Sequence, residues 1–134
     1  MDDQGIIGRR SRELADIHRR LAAAFQAQGN LERAIVELDK AFRMEPGSIA
    51  VLKALGELTL EAGDYKRAQQ MFRALLLQKL DNAAPISKGE VYYYLGVVHQ
   101  KLGEADKAIQ MLERAIQTEP SLERARDLLA ALKG

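Results

Sequence analysis

The 134 residues carry 20 basic against 19 acidic side chains, a formal charge of +1, with 47% hydrophobic and 29% charged residues. That balance excludes intrinsic disorder and offers no general attraction to nucleic acid or an anionic membrane. The lack of cysteine excludes a disulfide framework, a thiolate nucleophile and a cysteine-based zinc site.

In chain order, MDDQGIIGRRSRELAD has no long apolar core behind a basic flank, so it does not read as a secretory signal. Residues 1–10 are expected to be a flexible, solvated N-terminus. Arg9, Arg10 and Arg12 lack the interleaved aromatics of a nucleic-acid arm. From residue 11 onward the pattern is helical and repetitive. Gly29, Gly63 and Gly103 are each followed five residues later by an alanine, Ala34, Ala68 and Ala108. The first spacing, Gly29 to Gly63, is 34 residues, and the second, Gly63 to Gly103, is 40, which is one period plus six inserted residues.

Aligned on those alanines, segments 15–48, 49–82 and 89–122 repeat the same order. His18-x-x-Leu21-Ala22-x-x-Phe25 corresponds to Leu52-x-x-Leu55-Gly56-x-x-Thr59 and to Tyr92-x-x-Leu95-Gly96-x-x-His99. Ala34-x-x-x-Leu38, Ala68-x-x-x-Phe72 and Ala108-x-x-x-Leu112 follow, with Pro46 and Pro120 closing the first and third segments. Each unit therefore reads as two helices joined by a glycine turn, with Asn30 and Asp64 capping second helices and Ser48 and Ser121 capping the helices after the prolines. Ala22, Gly56 and Gly96 are small where helices cross closely. Leu21, Leu55, Leu95, Leu38, Phe72 and Leu112 are expected to fill the surrounding core.

The second helix of repeat two is expected to run long, through MFRALLLQKL. Beyond it lies the insertion, residues 83–88, read either as a plain loop extension or as a lip on a binding surface. Ser87 with Glu90 has the spacing of a capping box. Residues 123–133 read as one further amphipathic helix that caps the stack or opens a fourth repeat, with Leu128, Leu129 and Leu132 on its inner side.

This pattern resembles the tetratricopeptide repeat (TPR) family, with a helical period of 34 residues. No tryptophan is present, and Thr59 and His99 replace the family's aromatic residue. The resemblance implies an all-α solenoid of three helix pairs plus a C-terminal helix, seven helices in a right-handed superhelix over residues 11–134. It also implies a concave groove lined by the first helix of each pair. Projected onto that groove, repeat one offers Arg19, Arg20 and Ala23, and repeat two offers Lys53, Ala54 and Glu57. Repeat three offers Glu90, Tyr93, Tyr94, Val97 and Lys101. Of the three neighbouring tyrosines, Tyr92 is expected between helices and Tyr93 exposed in the groove as an aromatic anchor. Tyr94 is expected either in the groove or against the neighbouring repeat.

The function so implied is non-catalytic: binding a peptide or helix of another protein in the groove. The alternatives are a self-associating scaffold (a homo-oligomer) or an accessory domain of a larger protein. Family members that grip chaperone C-terminal carboxylates use basic and amide side chains at positions occupied here by Arg19, Ala23, Ala54, Glu90 and Tyr94. Only Arg19 suits that role, so this partner class is not expected. No phosphate-binding glycine motif or metalloprotease motif occurs. His18 and His99 fall on inward positions and read as packed, hydrogen-bonded histidines rather than metal ligands, so no cofactor is expected. Nucleic acid and membrane insertion are not expected, since no apolar run approaches the roughly 20 residues of a membrane span. The expected compartment is the cytoplasm.

Overall fold

The computed structural model describes residues 3–134, with side chains from Gly5 onward. It contains seven helices and no strand among the described residues: α1 (Asp3–Ala27), α2 (Leu31–Met44), α3 (Ile49–Glu61), α4 (Tyr65–Leu76), α5 (Lys88–Lys101), α6 (Ala105–Thr118) and α7 (Glu123–Lys133). Consecutive helices pack as antiparallel pairs, α1 on α2, α3 on α4 and α5 on α6, and the pairs stack in order with α7 against α6. The expected α-solenoid is therefore the observed fold.

Local chemistry explains the turns. Gly29, Gly63 and Gly103 take φ of 77°, 84° and 77°, the left-handed conformation that ends each first helix. Asn30 and Asp64 then accept from the backbone N–H groups of Arg33 and Arg67, and Ser48 accepts from Val51. At α5 the capping box forms in full: Ser87 Oγ accepts from the Glu90 N–H at 3.1 Å, and the Glu90 carboxylate accepts from the Ser87 N–H at 3.0 Å. Ser121 does not cap. Helix α7 starts at Glu123, so Leu122 occupies the cap position and the serine hydroxyl falls one residue short.

The core follows the small-residue crossings. Ala34, Ala68 and Ala108 are fully buried, as are Leu38, Phe72 and Leu112, with Phe72 against Gly56 and Leu112 against Gly96. The third position after Ala22, Gly56 and Gly96 is filled in three ways. Phe25 lies under the Arg33 guanidinium, 5.0 Å from its ring centroid. Thr59, buried, donates its hydroxyl to the Leu55 carbonyl at 2.6 Å, which removes the cost of an unsatisfied polar group. Buried His99 reaches Glu104 across the α5–α6 turn, Nδ1 to Oε1 at 3.0 Å.

Four expectations differ from the structure. Residues 3–10, expected to be flexible, are the first turns of α1; residues 1 and 2 lie outside the described residues. Leu21, expected in the core, is exposed, because no helix pair among the described residues packs on that side of repeat one. Helix α4 ends at Leu76 rather than running through Leu80. Leu77 and Gln78 close it with tight bonds back to Ala74 and Leu75, and Leu77 is left 86% exposed. The chain then turns at Asp81, whose carboxylate accepts from the Ala83 N–H, and drops Ile86 into the core. Ending α4 early is what brings that isoleucine down. Finally, the serine cap expected for α7 is absent.

Candidate partner-binding groove

The first helices share one side of the stack, and a cleft of about 320 Å³ opens there between α1 and α3. It gathers every groove residue expected from repeats one and two: Arg19, Arg20, Ala23, Lys53, Ala54 and Glu57. Pro85 joins them from the insertion, so that loop supplies a wall of the cleft. The alanines keep the floor low, and three basic side chains against one acidic give the lining a positive balance. The charges are internally paired. Asp16 accepts from Arg19 at 2.5 Å and lies 3.0 Å from Arg20, while Lys53 Nζ lies 2.9 Å from Glu57 Oε1 across one helical turn. All are at least partly exposed, so these pairs are weak and can be exchanged for contacts to a ligand.

Repeat three builds a separate cluster around a residue that the sequence analysis did not single out. Arg124, on α7, donates to Glu90 at 3.1 Å, and its guanidinium carbon lies 4.8 Å from the Tyr93 centroid and 5.7 Å from that of Tyr94. Tyr93 is therefore half-buried beneath an arginine instead of standing bare in the groove. Tyr94 packs on the neighbouring repeat, stacked on Phe72 with centroids 4.8 Å apart and planes 3° from parallel. Tyr92 is half-buried between helices, as expected, with the Lys88 ammonium 6.0 Å from its ring. Val97 is half-buried and Lys101 exposed; neither lines the cleft. Stepping 34 residues from Glu90 lands on Arg124, so the repeat period itself points to the groove side of α7.

Both histidines are tied to carboxylates. His18 Nδ1 lies 2.6 Å from Glu37 Oε2, with Lys40 3.2 Å from the other oxygen. Hydrogen bonding to His18, with help from Lys40, holds the Glu37 carboxyl below its ordinary value despite burial. The bond from His99 does the same for Glu104, with Lys107 assisting. A depressed carboxylate pKa contributes stability that is present above the unfolded-state value and lost as pH falls through the folded one. The melting temperature is accordingly expected to hold from neutral pH to about 5 and to decline below about 4.5. In a Glu37→Gln, Glu104→Gln double variant followed by circular dichroism, that decline should be shallower. Among the described residues no group of three or more histidine, cysteine or acidic side chains is placed to hold a metal ion.

Two tetratricopeptide repeat family models match the chain, at residues 25–88 and 89–122, and the chain belongs to that family. It is 33% identical over 88 residues to the CTR9 homolog of Arabidopsis thaliana, a match covering 64% of this chain but only 8% of that protein. Among solved structures it is similar to the first TPR domain of Spaghetti (RPAP3) bound to the HSP90 peptide SRMEEVD, with a TM-score of 0.78 at 16% identity. That superposition covers 91% of this chain and 92% of the other. It is also similar to YrrB, described as a TPR protein with an unusual peptide-binding site, with a TM-score of 0.67 at 25% identity over 86% of this chain and 56% of that one. No described helix is long and apolar enough to cross a membrane.

Proposed function

We propose that the protein is a non-catalytic adaptor that binds a peptide or helical segment of a partner protein in the cleft between α1 and α3. The observation that carries this reading is the cleft itself. A low floor of Ala23, Ala50 and Ala54 lets a ligand backbone approach, and Arg19, Arg20 and Lys53 stand around it. The peptide bound by the similar domain of Spaghetti and the peptide-binding site described for YrrB lend it support from outside this chain. The positive lining favours a segment carrying carboxylates, with Glu57 able to receive one basic group. Glu90, Tyr93 and Arg124 form a separate cluster on repeat three, outside the cleft lining. The match to only 8% of the CTR9 homolog supports the use of such a module inside a larger protein as well.

The test uses peptides selected from a random 12-residue library against the wild-type protein and titrated by fluorescence anisotropy. Selected sequences should be rich in acidic residues. Ala23→Trp, at an exposed position on the cleft floor, should abolish binding while leaving the melting temperature unchanged. Lys53→Glu should weaken binding roughly tenfold. Peptides that bind both variants as well as the wild type would place the site elsewhere.

A further inference from the structure

Helix α1 carries an apolar seam that the stack leaves open. Ile7, Leu14 and Leu21 recur every seven residues, and Ile17 and Ala24 follow three places after Leu14 and Leu21. That is the spacing of a helix packed lengthwise along another helix. The residues that correspond to Ile17 and Leu21 in the later repeats, Val51, Val91, Leu55 and Leu95, are buried in the stack. In contrast, Ile7, Leu14, Ile17 and Leu21 remain 63%, 46%, 50% and 43% exposed. Isolated exposed leucines are ordinary on a protein surface, but four large aliphatic side chains along one helix face mark an interface.

Two observations identify what covers it. The first is the shape of α1. Repeat two is entered through a turn at residues 45–48, whereas the equivalent residues 11–14 are helical and α1 continues back to Asp3. Among the described residues, then, repeat one is not entered through the turn that joins one helix pair to the next. At 25 residues, α1 also outruns α3 and α5, which have 13 and 14, so the seam extends beyond what a stacked repeat covers. Its matching surface is a second long helix.

The second observation is charge. Glu13 and Arg20, seven residues apart, flank the seam on one side. When two copies of α1 lie antiparallel with Leu14 of one opposite Ile17 of the other, Glu13 of each falls beside Arg20 of the other. The twofold axis generates both pairs. The same register sets Arg10 against Leu21, where its aliphatic stem can cover the leucine while the charge reaches water. A parallel, in-register pairing instead opposes Arg10 to Arg10.

We propose that α1 is a self-association helix: a second copy of this chain packs antiparallel on Ile7, Leu14, Ile17 and Leu21, locked by two reciprocal Glu13–Arg20 ion pairs. The dimer stabilises the first turns of α1, where Gly5 and Gly8 weaken the helix on its own. It leaves the floor of the α1–α3 cleft open and borders that cleft at Arg20. The inference does not depend on peptide binding, and either can fail without the other.

Sedimentation equilibrium of the 134-residue chain over roughly 5 to 500 µM tests it, because association follows mass action. The wild-type mass should climb from 14.9 kDa toward twice that value. The double variant Leu14→Glu, Ile17→Glu, altered only at exposed positions, should stay at the monomer mass with an unchanged melting temperature at low concentration. Its peptide affinity should also be unchanged. Glu13→Arg alone should raise the dimer Kd roughly tenfold, and adding Arg20→Glu should restore it. A wild type that stays monomeric throughout, or a double variant that still dimerises, overturns the proposal. A charge swap that fails to restore association overturns the antiparallel register.

Discussion

Phe72→Ala is expected to lower the unfolding free energy by about 3–5 kcal/mol, the range for deleting a buried aromatic ring. The Phe72 side chain is fully buried, with one edge closed by the backbone of Gly56 on α3 and one face stacked on Tyr94 of α5. Removing the ring therefore opens a void inside repeat two and also cuts a contact that joins repeat two to repeat three. In a solenoid each pair is stabilised largely through its neighbours, so losing a shared contact weakens both sides of the junction. A single domain of this size has about 5–15 kcal/mol in total, so the variant should remain folded but melt roughly 10–20 °C lower. Urea unfolding should show a lower midpoint with an unchanged slope if the stack still unfolds as one unit. A loss below about 1 kcal/mol would mean that the surrounding side chains collapse into the space, and that the aromatic stack contributes little.

Much of this arrangement was legible before any coordinates, and what was not has common physical causes. The helix pairs, the glycine turns, the Asn30, Asp64 and Ser87 caps and the small crossing residues are local or periodic features, recoverable from spacing alone. The cleft residues of α1 and α3 were recoverable for the same reason: one helical face repeated at one period. The failures lie where the periodicity stops. Leu21 occupies a core position of the repeat, but at the first repeat that position has no neighbour among the described residues to bury it. At the six-residue insertion a loop takes the place of the expected extension of α4, and the apolar spacing of residues 71–80 gives no sign that Ile86 would be anchored in the core. Tyr93 was expected to stand exposed in the groove, and it is half-buried instead. Its exposure was decided by Arg124, a residue 31 places later on a helix first read as a cap.

The pairing of a small residue with a larger one across each helix crossing yields the second large effect. A Cβ added at Gly56 would sit 2.8 Å from the Phe72 ring, and one at Gly96 would sit 2.8 Å from the Leu112 side chain. Repeat one carries alanine at the matching position, Ala22, and leucine, Leu38, where repeat two has Phe72. The repeats therefore combine these positions in three ways: alanine with leucine in repeat one, glycine with phenylalanine in repeat two and glycine with leucine in repeat three. Gly56→Ala adds a methyl that cannot be accommodated, since the ring beneath it is pinned from the other side by Tyr94. Such overpacking costs about 1–3 kcal/mol, enough to outweigh the roughly 1 kcal/mol that alanine gains over glycine in a helix interior. Phe72→Leu alone should also destabilise, because it removes the ring that stacks on Tyr94. Combining Gly56→Ala with Phe72→Leu rebuilds the Ala22–Leu38 arrangement inside repeat two, so the double variant should be more stable than either single one. The coupling between the two changes, measured by urea unfolding in a double-mutant cycle, should exceed about 1 kcal/mol. Strict additivity would show that the methyl and the ring never compete for the same space, and that glycine at residue 56 is not required by packing.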